Sequence, residues 1–482
     1  MLDKYLLKIF LIFLPLLILA DLISYLASNW TALANIIYLL IILAVLILSI
    51  KDLRWGFYVV LAELMIGSQG HLFDLTLAGQ QISLRKGLFI TVLLVWLIGL
   101  LFKKGREFFQ SKFLPYYLPL FIFIILAAIG GLLNNSSVSW FHDFNGWLFW
   151  LLAPAAFAAI NNFQRVKEVL TVFFSALVFL SVKTLYLLII FAYGWPNFVD
   201  CVYEWLRYSR LAEPTFIADN LFRIFSQSQV YLLAGFFIAL TLLFFDRWQN
   251  IKKNLLWSAV ILSSLALLIS LSRSYWVGWF GGAIFLLGYL FIKVKIPAQV
   301  LFQKFSSLII ILTVMVVFLQ ALTGNFVQAA LGARLGQASG DPAGQSRLQQ
   351  LKPLADKIAN QPMILGSGFG AEVSYVSSDP RVLRDQPDGL YSTYAFEWGY
   401  LDIWLKLGLL GLLAYLLLIA KIGLSGLKSG PLGIGLAVGL AAIAITSIFS
   451  PYLNHPLGIG YIIMMTAIIN LEQNKTENHG KS

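Results

Sequence analysis

Long apolar segments separated by polar turns recur along almost the whole chain. A run of about 20 apolar residues is long enough to cross a bilayer as a helix. The pattern predicts fourteen such spans, although one is short and two are borderline, so twelve or thirteen spans remain open. The predicted spans are 5–27, 33–50, 56–68, 87–102, 118–133, 146–160, 168–193, 227–245, 254–271, 275–292, 305–322, 398–420, 431–449 and 455–471.

Composition supports this pattern. Of the 482 residues, 59% are apolar and 12% are charged, against about 45–50% and about 25% in ordinary soluble domains. This excludes a soluble enzyme, a disordered scaffold and a secreted disulfide framework. The sequence predicts an all-α polytopic membrane protein, a bundle of about 12–14 transmembrane helices. Cys201 is the only cysteine, and the sequence shows no cluster of metal-ligand spacing, so we expect no metal site and no cofactor.

The positive charge of the chain indicates its orientation. With the N-terminus in the cytoplasm, 16 of the 21 lysines fall on the cytoplasmic side, which is the bias that membrane insertion favours. We therefore expect both termini in the cytoplasm if the number of spans is even. The net charge of +11 then reflects topology, and nucleic acid is not an expected partner.

Arginines are distributed differently from lysines. In the same orientation, nine of the 13 arginines lie outside the cytoplasm, against three lysines. A guanidinium binds phosphate through two parallel hydrogen bonds, whereas lysine acts as a point charge. The bias favours an anionic, phosphorylated ligand on the outer face, although pairing with outer carboxylates explains any single arginine equally well. The nine arginines are Arg85, Arg207, Arg210, Arg223, Arg273, Arg334, Arg347, Arg381 and Arg384.

We divide the chain into four regions: 1–226, 227–322, 323–397 and 398–482. The third region, 323–397, is the longest outer segment. The segment is expected to be partly helical, with one short helix over 345–351 and a second starting at Pro353. A glycine-rich turn follows at 365–370. Its amide groups suit either a structural turn or an anion-binding cradle.

Ionisable residues within spans are costly and therefore informative. Asp402 and Lys406 stand four residues apart on one helix, so we expect them to pair. Lys183 has no local partner, and Asp21 or Glu63 on a neighbouring helix is expected to neutralise it.

Arg273 lies at the outer end of a span, within LISLSRSYWVGW. It fits either a ligand site or an interface anchor beside Tyr275 and Trp276, since arginine and aromatic residues are common at that depth.

Three stretches of the C-terminal half together resemble the O-antigen ligase / O-antigen polymerase (Wzy-like) superfamily of bacterial envelope glycosyltransferases. The first is LISLSRSYW, similar to the family's apolar run that ends in Ser-Arg. The second resembles the family's outer loop and the third its re-entry helix. The segment that opens the span at 227 adds weaker support, because its Arg223 resembles an earlier arginine of the family. The second, third and fourth stretches read SRLQQLKPLADKIANQPMILGSGFG, EWGYLDIWLKLGLLGLLAYLLL and FRIFSQSQVYLLAGF.

The chain departs from the family in one place. Ligases of the family usually carry a His-Asn pair just before the re-entry helix, whereas DGLYSTYAFEWGYLD contains no histidine. The nearest titratable residue is Glu397. The resemblance therefore favours a polymerase, or another lipid-linked glycan transfer, over a ligase.

The resemblance implies a reaction and assigns roles. A glycan linked to undecaprenyl diphosphate would be attacked by an acceptor hydroxyl at the outer face of the bacterial cytoplasmic (inner) membrane, without a metal ion. Arg223, Arg273 and Arg347 are expected to bind the diphosphate. Glu397 is the expected general base, to be weighed against a plain carboxylate at a helix start, and His455 is the reserve. His71 and His142 are weaker candidates.

Expected partners are an undecaprenyl-diphosphate-linked glycan, a glycan or lipid acceptor, membrane lipids and other polysaccharide assembly proteins. Two other functions remain open. A lipid-linked oligosaccharide flippase or exporter would have a similar number of spans, but it would need a cationic cavity accessible from both sides, whereas this chain concentrates arginine on one face. A structural subunit of an envelope assembly complex is the second.

Overall fold

A computed structural model describes residues 4–77, 79–245, 253–330, 332 and 342–479. Its helices, in chain order, are α1 (Lys4–Ala27), α2 (Thr31–Lys51), α3 (Leu53–Ile66), α4 (Leu84–Leu101), α5 (Leu114–Asn134), α6 (Ser137–Trp147), α7 (Ala153–Ala159), α8 (Phe163–Tyr193), α9 (Pro196–Tyr208), α10 (Val230–Phe244), α11 (Lys253–Ile269), α12 (Arg273–Tyr289), α13 (Ala298–Thr323), α14 (Phe326–Gln328), α15 (Pro342–Ala359), α16 (Pro380–Asp385), α17 (Gly399–Leu427), α18 (Gly430–Thr446) and α19 (Pro456–His479).

Within these residues, nine helices are long and apolar enough to cross a membrane, and α11 and α18 are shorter apolar helices. The nine are α1, α2, α4, α5, α8, α10 with the 3-10 turn before it, α12 with its continuation to Val294, α13 and α17. The predicted class, an all-α polytopic membrane protein, is confirmed.

Two predicted spans are shorter in the structure than in the sequence pattern. The third is the 14-residue α3. The sixth, 146–160, divides into a 3-10 turn (Leu148–Leu152) and the seven-residue α7. Pro154 explains the break, since it has no amide hydrogen for the preceding helical turn. The interior of the bundle buries most of both pieces, although Leu151 is exposed.

Three antiparallel hairpins lie between helices: β1 (Asp74–Leu77) with β2 (Gln80–Ser83), β3 (Glu213–Ala218) with β4 (Leu221–Phe225), and β5 (Val373–Val376) with β6 (Leu390–Thr393). Arg223 was expected to open a membrane span, and this expectation was wrong. It lies in β4, opposite Thr215 of β3. Leu221 and Ile224 are buried on this strand, and α10 begins only at Val230.

The described part of the segment 323–397 is ordered around α15, which is one continuous helix instead of the two expected. Pro353 lies inside the helix and does not start a second one. Leu354 and Ile358 explain this difference, because both pack into a small core with Val373 and Phe396. This burial compensates for the amide hydrogen bond that proline removes.

The glycine-rich turn is embedded in the bundle. Its amides are bonded to the protein: Ser367 N to Leu405 O (2.7 Å), Gly368 N to Lys406 O (3.1 Å), Phe369 N to Ala127 O (3.1 Å) and Gly370 N to Asp143 Oδ2 (2.8 Å). The structural interpretation of this turn is therefore confirmed, and the anion cradle was wrong. The sequence could not show this, because the partners lie on distant helices.

Helix α17 is interrupted where this turn meets it. Gly408 has φ 75° and ψ 176°, outside helical geometry. Leu409 N donates to Met363 O (3.0 Å), so the segment before the turn supplies acceptors on the other side of the break. Irregular backbone is tolerated at membrane depth where protein groups satisfy its hydrogen bonds, and here the segment 363–370 does so.

Charges within the spans are paired. Lys183 contacts Asp21, which is one of the two partners expected for it. The other alternative, Glu63, instead binds Arg85 (2.9 Å). Arg85 was counted among outer arginines, but it is buried and committed to this pair.

Lys406 contacts Asp402 Oδ1 at 2.5 Å, which confirms the predicted pair. It also contacts Asp143 Oδ1 at 2.6 Å. Asn454 donates to Asp402. The sequence did not indicate this larger network, because its members are far apart along the chain.

Candidate functional site

One cavity, with a volume of about 940 Å³, gathers all five predicted site residues: Arg223, Arg273, Arg347, Glu397 and His455. Its walls come from four segments: the β3–β4 hairpin, the turn before α12, the region from α15 to Glu397, and the turn between α18 and α19. These segments lie at one end of the bundle, as the predicted alternation of spans requires. The cavity is therefore built from parts of the chain separated by up to about 240 residues.

Arg223 is held in place by the neighbouring span. Its Nε donates to the backbone oxygen of Ser270 (3.1 Å). Its guanidinium carbon lies 4.7 Å from the centre of the Phe225 ring, a cation–π distance. These contacts fix the guanidinium at the wall of the cavity, next to the turn that carries Arg273.

Arg273 is the first residue of α12, and its side chain is half-buried at the cavity wall. The turn before it is tight, with Leu271 in the left-handed region at φ 43°. Three serine hydroxyls line the same cavity: those of Ser272 and Ser274 lie 3.2 Å apart, and Ser450 donates to Ser274 at 3.1 Å. Hydroxyls and a guanidinium together form a surface of donors suited to phosphate oxygens.

Tyr275 does not belong to an interfacial aromatic belt. It is fully buried, and its hydroxyl lies 3.1 Å from the backbone oxygens of Ser226 and Gln227. It also contacts the hydroxyl of Tyr452. The part of the anchor interpretation that rested on Tyr275 was therefore wrong.

Arg347 and Glu397 form an ion pair across the cavity wall, with Nη2 and Oε2 3.2 Å apart. Their side chains are 34% and 45% exposed. The local backbone is fixed, because Trp398 Nε1 donates to Arg347 O (2.9 Å) and Glu397 N donates to Gln350 Oε1 (3.1 Å). The two ends of this pair are therefore positioned, while their charged groups remain accessible to a ligand.

His455 lies in the same cavity but is poorly suited to act as a base. Burial, with a smaller contribution from the Arg85 charge, lowers the pKa of its imidazole to about 3. Its Nδ1 accepts a hydrogen bond from Leu457 N (3.3 Å). In the neutral ring the proton then lies on Nε2, so His455 is a donor at neutral pH.

Sequence reasoning missed Tyr452, which is buried at the cavity wall. Burial raises the pKa of its phenol far above its usual value, and the Glu397 charge raises it further. The contact with Tyr275 joins the turn between α18 and α19 to α12. The only sequence signal was its place in PYLNHP, the turn that supplied His455.

The weaker candidates lie elsewhere. His71 pairs with Asp74 (2.9 Å) beside a separate small cavity, and His142 packs edge-on to Phe141. Arg334 and the side chain of Arg381 lie outside the described residues. Among the residues that the structure describes, there is no group of three or more His, Cys, Asp or Glu side chains that could hold a metal ion.

Part of the chain matches the model of a known protein family. Residues 258–416 match the family model described as O-Antigen ligase (Wzy_C). Searches of curated proteins and of solved structures found no match. The matched region contains Arg273, Arg347 and Glu397, whereas Arg223 and His455 lie on either side of it. The predicted resemblance to the O-antigen ligase / O-antigen polymerase superfamily is therefore confirmed over residues 258–416, about a third of this membrane protein.

Proposed function

We propose that this protein transfers or polymerises undecaprenyl-diphosphate-linked glycans at the outer face of the bacterial cytoplasmic membrane. One observation carries the proposal. Three arginines from three separate elements line a single cavity together with Glu397 and three further carboxylates, within and beside the region that matches the O-antigen ligase family. The family supports a membrane glycan ligase or polymerase. The donor lipid, the outer face and the roles of individual residues are our own inferences.

The donor diphosphate would lie against Arg223, Arg273 and Arg347. The oxygen of an acceptor hydroxyl attacks the anomeric carbon of the donor sugar, and the bond from that carbon to the diphosphate oxygen breaks. Undecaprenyl diphosphate leaves with the bonding electrons, and the hydroxyl proton passes to Glu397. Guanidinium groups fixed in advance stabilise the charge that grows on the leaving group.

The ion pair between Arg347 and Glu397 links donor binding to the base. A bound diphosphate competes with Glu397 for Arg347, since both are anions that take the same donors. When Arg347 turns to the diphosphate, Glu397 is released to accept a proton. This coupling favours Glu397 as the base. His455 is less suitable, because its neutral ring carries its proton on Nε2.

The three arginines supply positive charge where many phosphate-transfer sites use a divalent cation. We therefore expect transfer to persist in EDTA and not to increase on addition of magnesium or manganese. Activity that disappears in EDTA and returns with either metal would contradict this part of the proposal.

The orientation can be tested separately. In a chain in which Cys201 is replaced, cysteines introduced singly at Asp379 and at Gly340, which lies outside the described residues, should react with an impermeant thiol reagent in intact spheroplasts. Lys104→Cys is the matched control and should react only after lysis. The reverse pattern would overturn the orientation.

The function is tested with purified protein and an undecaprenyl-diphosphate-linked repeat unit. We expect longer lipid-linked chains, and Glu397→Gln should abolish their formation without changing the yield of folded protein. A wild-type protein that moves the lipid across a vesicle membrane without lengthening its glycan would contradict the proposal and favour a flippase.

A further inference from the structure

A second, smaller pocket adjoins the main cavity and has a charge of its own. Its volume is about 230 Å³, the space of roughly seven or eight water molecules at about 30 Å³ each. Glu213, Phe225 and Gln227 line both spaces, so the two are neighbours with a shared wall. Arg207 and Arg210 line only the smaller pocket. None of the roles proposed for the diphosphate uses these two arginines.

Two arginines and one glutamate line the smaller pocket, which gives its lining a net charge of +1. Arg207 pairs with Glu213 at 3.5 Å, and both side chains are about half exposed. For Arg210, the described residues provide no ion pair or hydrogen bond to the guanidinium. Two arginines against one carboxylate suit a ligand that carries a single negative charge.

The backbone at this pocket is strained. Among the residues that the structure describes, six non-glycine residues have positive φ. Arg210 (φ 52°) and Ser68 (φ 50°) line the smaller pocket, and Leu271 lines the larger. Arg210 lies two residues beyond the end of α9, in the left-handed position that glycine usually takes. Strained positions concentrate at functional sites, and here the strain places a guanidinium in the pocket.

A polar atom of the shared wall also lacks a partner. The side-chain oxygen of Gln227 is buried without a hydrogen bond to any described residue, which is costly unless a ligand supplies a donor. The position of Gln227 is fixed, because Ser68 Oγ accepts from its backbone amide (3.3 Å) and Ser68 N donates to Ser228 Oγ (2.9 Å). Because this oxygen is closed to solvent, the amide group must turn toward the pocket before a sugar hydroxyl can donate to it.

We propose that this pocket is a subsite for an acidic sugar of the lipid-linked glycan, with Arg210 binding its carboxylate and Gln227 accepting from a ring hydroxyl. The inference rests on the proposed function, because the main cavity is taken to hold the diphosphate of the same glycan. It narrows the substrate class to glycans that carry a uronic acid or a similar monoanionic sugar.

The test uses two undecaprenyl-diphosphate-linked disaccharides that differ only in the distal sugar, glucuronic acid or glucose. Dissociation constants and chain elongation are measured with purified wild-type protein, Arg210→Gln and Arg210→Lys. Arg106→Gln is the control, because it removes an exposed arginine that lines neither cavity. Thermal unfolding midpoints verify that each variant is folded.

We expect the wild type and Arg106→Gln to bind the acidic lipid about tenfold more tightly than the neutral one, the value of one charge-assisted hydrogen bond. The preference should disappear in Arg210→Gln and be partly retained in Arg210→Lys. A wild type without preference, or an unchanged preference in both Arg210 variants, would overturn the subsite even if both lipids are elongated. A wild type that prefers the acidic lipid but elongates neither would support the subsite and overturn the transferase.

Discussion

Two groups of charged side chains in this protein each pair a cation with carboxylate, but in opposite settings. In the first group, Lys406 lies between Asp143 and Asp402, and the side chains of all three are less than 10% exposed. In the second, Arg347 and Glu397 face a cavity and remain about 34% and 45% exposed. The buried charges bind one another and hold helices together, whereas the cavity charges remain accessible to a ligand.

The contrast between the two groups separates a structural charge from a functional one. An ionisable residue at membrane depth is a functional candidate by default, and by that rule Lys406 would rank above Arg347. The geometry reverses the order, because every partner of Lys406 is another residue of the chain. Substitutions in the two groups should therefore affect different properties, stability in the first and activity in the second.

The largest loss of stability is expected from Lys406→Met. Removing the cation leaves Asp143 and Asp402 buried without their shared partner, and breaking a buried ion pair in this way costs about 3–5 kcal/mol. The yield and the thermal unfolding midpoint in detergent should both fall strongly. A variant that is as stable as wild type but inactive would place Lys406 in the functional group and erase the distinction between the two.

A smaller loss of stability is expected from Gly368→Ala. An added Cβ would lie 2.2 Å from the backbone nitrogen of Gly131, and the left-handed conformation at φ 75° adds strain of about 1–3 kcal/mol. Gly99→Ala is the control, since a Cβ there meets no atom within 4 Å. Unfolding midpoints should separate the two variants, and equal midpoints would show that the glycine-rich turn is not packed as described.

His455→Gln should produce the smallest change in activity. Because its pKa is lowered to about 3, the imidazole stays neutral between about pH 5 and 8 and contributes no titration to the rate there. The pH profile of transfer should keep its shape, with a rate within about tenfold of wild type. Loss of one limb of the profile would make His455 the base in place of Glu397.

The same shift makes a prediction about stability. An unfolded chain binds the His455 proton more tightly than the folded protein does, because the usual histidine pKa is about 6.5. The stability contributed by the neutral ring is complete above about pH 6.5 and is lost as the pH falls toward about 3. The unfolding midpoint of wild type should therefore fall more steeply on acidification than that of His455→Gln.

Much of the fold follows from the sequence, because a membrane span can be recognised from the hydropathy of consecutive residues. The predicted spans 5–27 and 168–193 agree with α1 and the apolar part of α8 to within a few residues. The interruption of α17 at Gly408 did not follow, because the segment that fills it comes from about 40 residues earlier. The prediction that Pro353 starts a second helix was wrong, because the burial of Leu354 outweighed the local preference of proline for a helix start.

The sequence singled out five residues that line one cavity, but it did not indicate their geometry. The position of Arg273 at a span end fitted either a ligand site or an interface anchor, and the family resemblance supplied the roles expected for Arg223, Arg273, Arg347 and Glu397. The pairing of Arg347 with Glu397, the buried Tyr452 and the second pocket all depend on contacts between distant segments. Local patterns contain no information about such contacts.

We propose that the cavity binds a lipid diphosphate through its guanidinium groups, and Arg273→Lys is the sharpest test of this claim. Lysine keeps the charge but cannot hold two phosphate oxygens in parallel. Losing one charge-assisted hydrogen bond costs about 1.5–3 kcal/mol, or roughly tenfold to a hundredfold in rate. We expect a variant with the unfolding midpoint and yield of wild type that has lost most of its transfer activity, with Arg273→Ala at least as impaired. Near-wild-type transfer by the lysine variant would show that Arg273 only anchors the helix end, and it would contradict the claim.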